Sequence, residues 1–191
     1  QHYFFEVIDH PLLVPLFMSL AGINALLATE SVVGDATIRT QATITLKDHP
    51  PLVLEEMFTG NQDSLGAVFK TFTPLGMLMN NRFTPVSLEQ VSLEITIKNA
   101  IQQAEIVGVR IQNNVVRPGD VVEAIISLRP YGKEIITVAE RVTIPEDLQQ
   151  EKIQLLVCDV NMTNLVEAAR ARARFQPQSL NQLIKLLEEQ V

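Results

Sequence analysis

The stretch from Pro11 to Ala28, PLLVPLFMSLAGINALLA, limits what this chain can fold into more than any other. Pro15, Ser19, Gly22 and Asn24 interrupt it, so it falls short of the roughly 20 consecutive apolar residues of a membrane span and reads as a core helix. Leu13, Phe17, Leu20 and Leu27 recur along one helical stripe, and Leu12, Leu16, Ile23 and Leu26 cover the adjoining one. A helix apolar over so wide an arc must be buried on more than one side. The fold has to wrap it or share it with a neighbour.

The rest of the chain can supply such a core. Of 191 residues, 47% are hydrophobic and 19% charged, which suits one domain or two small ones. The first hundred residues carry 5 Lys and Arg against 10 Asp and Glu, the remainder 10 against 12. Neither part has the basic excess that phosphate neutralisation requires, which argues against a nucleic-acid partner. The one cysteine, Cys158, excludes an internal disulfide and lies in the apolar run IQLLVCD, where a small buried hydrophobe is expected. The opening QHYFFEVIDH has neither an initiator Met nor the basic start of a signal peptide, so the sequence reads as a segment of something longer.

Along the chain, Tyr3–Ile8 reads as a strand that stops at Asp9-His10-Pro11, with Asp9 as the N-cap of the apolar helix. ATIRTQATITL alternates as a half-buried strand, KDHPP turns, and LVLEEMF is the next strand. A helix follows, capped at Asp63 or Ser64 and bent at Pro74. VSLEQVSLEITIK then places Val91, Leu93, Ile95 and Ile97 on one face of a strand. The order through residue 98 is β-α-β-β-α-β, the split βαβ arrangement of ferredoxin-like sandwiches.

From Ala104 short strands alternate with the turn signals RPGD, RPYGK and IPEDLQQE, which predicts a small partial β-sandwich of immunoglobulin-like type, its last strand being KIQLLVCD. Arg117-Pro118-Gly119-Asp120 fits a type II turn: proline fixes φ at the second position and glycine accepts positive φ at the third. A phosphate-cradling loop would want a helix after the glycine, and β-branched alternation follows instead. NMTNLVEAARARAR predicts a helix with Arg170, Arg172 and Arg174 at its solvated end. SLNQLIKLLEEQ predicts a second, with a Ser179 and Gln182 capping box and an apolar stripe of Leu180, Leu183, Ile184 and Leu187. The expected fold class is therefore α+β, divided into residues 1–100, 101–160 and 161–191.

Chemistry is sparse. His2, His10 and His49 have no metal-ligand spacing, and His10 and His49 precede prolines. Glu55 and Glu56 point to opposite faces of a strand and cannot form a dyad. No nucleophile elbow, P-loop or dinucleotide fingerprint is present. A hydrolase would have to assemble Ser64, His10 or His49, and an acid such as Asp63 through the fold. No catalytic, cofactor-binding or metal-binding residue is therefore assigned, and no cofactor is expected.

Several phrases together carry a resemblance: YFFEVIDHPLLVPLF, NALLATESVVGDATIR, PPLVLEEMFTG, NNRFTPVSLEQVSLEI, VVRPGDVVEAIISLRPYGKE and SLNQLIKLLEE. They resemble the region that follows the peptidase module in bacterial SpoIVB-type serine peptidases. The resemblance implies an exported, periplasmic or envelope-associated parent protein whose catalytic serine and histidine lie in another module, since nothing between Gln1 and Val191 matches the motifs that would hold them. The expected function is a non-catalytic accessory module that packs against the peptidase-like domain or recognises a protein partner, with self-association as a further outcome of the apolar helix. The alternatives are the hydrolase above and an independent module for a small ligand or cell-wall polymer, the latter weakened by 5% aromatic content and no Trp.

Overall fold

A computed structural model describes residues 2–29, 35–60, 64–113, 115–149 and 152–189. It divides into two units, one of Gln1–Ile101 with Thr163–Val191 and the other of Gln102–Met162. The chain is α+β, and its described residues form two three-stranded antiparallel sheets and four α-helices.

In the first unit β1 (Ala36–Leu46) is the central strand, because its apolar residues fall at alternate positions: Ile38, Ala42, Ile44 and Leu46 are buried while Arg39 and Gln41 are exposed. β2 (Leu52–Gly60) and β3 (Leu88–Lys98) pair on either side of it. The register sets Leu52 and Leu54 opposite Ile44 and Ala42, with Val91 and Leu93 opposite the same two residues on the other flank. One face of the sheet is thus continuously apolar and needs a cover.

Helices supply it. α1 (Leu13–Thr29) and α2 (Ser64–Met79) place Val14, Leu26, Val68, Phe72, Leu75 and Leu78 in the core. Burying each such side chain contributes roughly 1.5–3 kcal/mol. α2 is also keyed to the sheet by a buried hydrogen bond of 2.6 Å between the hydroxyls of Thr40 and Thr71. Pro74 removes one backbone donor inside α2, yet the helix runs on to Met79. Asn81 then clamps the connection to β3: its Oδ1 accepts from the amides of Phe83 and Thr84, and its Nδ2 donates to the carbonyls of Leu78 and Thr84.

After α3 (Val160–Arg170) and a single 3-10 turn at Arg172–Phe175, α4 (Leu180–Glu189) returns to this core. Leu180, Leu183, Ile184 and Leu187, the stripe legible in the sequence, are all buried in it. Ser179 caps α4 through its Oγ, which accepts from the amide of Gln182 at 3.3 Å. The Gln182 side chain reaches back to the amide of Gln178, one residue further than a standard capping box.

The second unit is a meander of β4 (Ala104–Ile111), β5 (Val121–Pro130) and β6 (Ile136–Thr143) in that spatial order. Val122, Ala124 and Ile126 on the middle strand are buried, while Ile106, Val109, Ile111 and Ile136 at the margins stay exposed. Arg117–Asp120 is the expected turn: Gly119 has φ +85°, and the amide of Asp120 donates to the carbonyl of Arg117 at 3.0 Å. Asp120 also accepts the Arg117 amide on its carboxylate, so it locks the turn rather than facing a ligand. An added Cβ at Gly119 would meet only Glu146 Cγ at 3.8 Å, so the obstacle to substitution is conformational. Gly119→Ala should cost about 1–2 kcal/mol, read as a lower urea midpoint with unchanged slope.

Two expected strands do not form. Tyr3–Ile8 and Lys152–Asp159 have strand-like composition but carry no helix or strand. Among the described residues the first unit accordingly runs α-β-β-α-β with a three-stranded sheet, and the second unit has one three-stranded sheet. Composition favours an extended backbone, but a ladder also requires a neighbour in register.

Candidate interaction site

The residues that could carry chemistry are placed apart. His10 starts α1: its carbonyl accepts from the amides of Leu13 and Val14, and its Nδ1 accepts from the amide of Leu12 at 3.3 Å. It therefore does the capping expected of Asp9. The next residue, Pro11, accepts a hydrogen bond from Asn80, just beyond the C-terminal end of α2. Ser64 opens α2, so its backbone lies about 24 Å of helix away from that end. His49 is in the hairpin between β1 and β2, whereas Gly60, the last residue of β2 before α2, pairs with Ala36 at the opposite end of the sheet. The side chain of Ser64 and the whole of Asp63 lie outside the described residues. Neither histidine is placed beside the start of α2.

The remaining candidates are structural in setting. Glu56 lies across from Thr40 on the helix-covered face, and Glu55 lies across from Gln41 on the other, where the two side chains hydrogen-bond. Cys158 is half-buried in irregular chain rather than enclosed in a strand. Arg170 and Arg174 both pair with Glu167, and Arg174 also meets Glu189 at 2.7 Å. Hydrogen bonding from Arg174 lowers the Glu189 carboxyl below its ordinary range, and the same bond raises Arg174. Arg172 belongs to the 3-10 turn, so the three arginines do not line one helix end. Among the described residues no group of three or more His, Cys, Asp or Glu could hold a metal ion.

The conspicuous surface is apolar. α1 carries no charged residue over its 17 positions, and its two faces have different fates. Val14, Ser19, Gly22 and Leu26 turn inward. Leu16, Phe17, Leu20 and Leu27 are exposed by 45, 39, 40 and 63%, and so is Leu12, just before the helix, by 68%. At 100° per residue the four helical ones occupy an arc of about 100° opposite the buried stripe. The only polar side chain within it, Asn24, folds back to donate to the Leu20 carbonyl at 2.9 Å.

Of the two bulky stripes that the sequence emphasised, Leu26 enters the core and Ile23 packs against it, while most of the other members stay on the outer face. Ala21, Gly22 and Ala25 let α1 approach its neighbours closely, a signal available in the run of small residues. Between this narrow face and β3 lies a groove of about 480 Å³, lined by Met18, Ala21 and Ala25 of α1, by β3, and by residues 2–5. Among the described residues no helix is long and apolar enough to cross a membrane.

Compared with family models, curated proteins and solved structures, the chain finds no match.

Proposed function

We propose that the chain is a non-catalytic accessory module whose first helix binds a protein surface through its outer face. One observation carries this reading: four large apolar side chains exposed on the arc of an uncharged helix, continued by Leu12 just before it and absent from the buried core of the unit. Contiguous apolar surface of this kind, rimmed by polar residues, marks protein interfaces. The resemblance to SpoIVB-type proteins suggests the partner, a peptidase-like domain preceding this region in an exported or envelope-associated protein. A second copy of the chain is the other occupant of the same face.

A split βαβ half and a two-sheet sandwich would be completed if Tyr3–Ile8 and Lys152–Asp159 found strands to pair with.

The test is Phe17→Asp, studied by light scattering coupled to size exclusion on this chain alone and on a form extended through the peptidase-like region. Phe17 is exposed, so the variant should remain folded with a nearly unchanged melting temperature. Its association should weaken by tenfold or more, because a carboxylate would have to be buried against an apolar partner; that is about 1.4 kcal/mol or more. A folded variant that associates as the wild type does would overturn the reading. A variant that fails to fold would place Phe17 in the core and overturn it equally.

A further inference from the structure

The groove between α1 and β3 has three properties that belong together. First, β3 is an edge strand of 11 residues, with β1 on one side. Second, the groove touches both parities of that strand: Val91, Leu93, Ile95 and Ile97 point toward the helices, whereas Gln90 and Ser92 point away, and all six contribute to its wall. A cavity that meets both faces of a strand must run along the strand's margin. Third, the remaining wall is His2, Tyr3, Phe4 and Phe5, from the segment whose composition reads as a strand and whose backbone is irregular.

The segment is anchored at one end and partly exposed at the other. Val7 packs against the core cluster, while Tyr3, Phe4 and Phe5 are exposed by 41, 94 and 52%. Tyr3 and Phe5, two apart and so on one side of an extended chain, stack with ring centroids 6.5 Å apart. Beneath them the groove is walled by apolar side chains of α1 and β3 together with Gln90 and Ser92, and it carries no Asp, Glu, Lys or Arg. Burying such a ring fully is worth about 1.5–3 kcal/mol, which favours deeper seating of the partly exposed rings.

We infer that residues 2–5 are a strap that closes on the α1–β3 groove and shields the free margin of β3. An uncovered edge strand is a template for pairing with other chains, and a covering segment is one established way of protecting it. The strap acts on the edge of the sheet, separately from the outer face of α1.

The chain contains no Trp, so Tyr3→Trp provides a single reporter. Its emission should be blue-shifted and shielded from acrylamide relative to the unfolded chain. In a Tyr3→Ser, Phe5→Ser double variant, amides of Val91–Ile97 should exchange about tenfold faster, with the global melting transition retained. Ile8→Ser, outside the groove wall, should leave that exchange unchanged. Water-exposed Trp emission, unaltered β3 exchange in the double variant, or an equal effect from Ile8→Ser would each overturn the inference.

Discussion

Ending the chain at Gln178, which removes α4, should abolish cooperative unfolding of the first unit. The helix looks like an appendage in chain order, separated from β3 by the whole second unit. Its packing says otherwise. Leu180, Leu183, Ile184 and Leu187 are between 1 and 6% exposed and belong to the same cluster as Ile44, Leu54 and Phe72. Removing a single buried leucine side chain costs about 2–5 kcal/mol. Removing four, and exposing the leucines of β2 and α2 beneath them, costs as much as the 5–15 kcal/mol that holds a domain together. A milder form keeps the test quantitative: Leu187→Ala, at the most buried of the four positions, should lower the melting temperature by about 10 °C. Circular dichroism melts read both variants. A truncated chain melting at the wild-type temperature would show that α4 merely rests on a self-sufficient core.

That result bears on how a sequence of this kind is read. The stripe of α4 and the alternation of β1, β3, β4 and β5 were legible because they are local patterns of period 3.6 and 2. Gly119 was legible because a turn's chemistry is contained in four residues. Which surface α4 would cover was not, since an amphipathic helix specifies that it will be buried and not against what. Tyr3–Ile8 and Lys152–Asp159 failed for a related reason: strand propensity is half of a pairing, and the other half lies elsewhere in the chain or outside it. The candidate site shows the same divide. The excess of apolar surface on α1 could be counted from the sequence, but which arc enters the core was decided by small residues that a search for bulky ones passes over.

Gly22 is where that decision is made, and its substitution should have the second large effect. A Cβ at this position would come within 2.7 Å of Val68 Cγ1 and 2.9 Å of Leu93 Cδ2, both closer than real contacts allow. Leu93 is a flexible side chain at a half-buried edge position and can yield. Val68 is fully buried and, being β-branched, has little χ1 freedom with which to move aside. Alanine in a helix interior gains about 1 kcal/mol over glycine from propensity. Overpacking at a site this tight costs about 1–3 kcal/mol, so Gly22→Ala should be net destabilising and Gly22→Leu far more so.

A double-mutant cycle separates the clash from any general intolerance of α1. Val68→Ala alone opens a cavity and destabilises, but combined with Gly22→Ala it removes the methyl that the new Cβ strikes. The pair should therefore be less destabilised than the sum of the singles by about 1–2 kcal/mol, measured by urea unfolding. Strict additivity would mean that the approach of α1 to α2 is not what glycine permits. A favourable coupling would tie the narrow stripe of α1 to its function: because glycine lets the helix sit down on Val68 and Leu93, its bulky residues are left on the outside, and the face proposed to bind a partner exists.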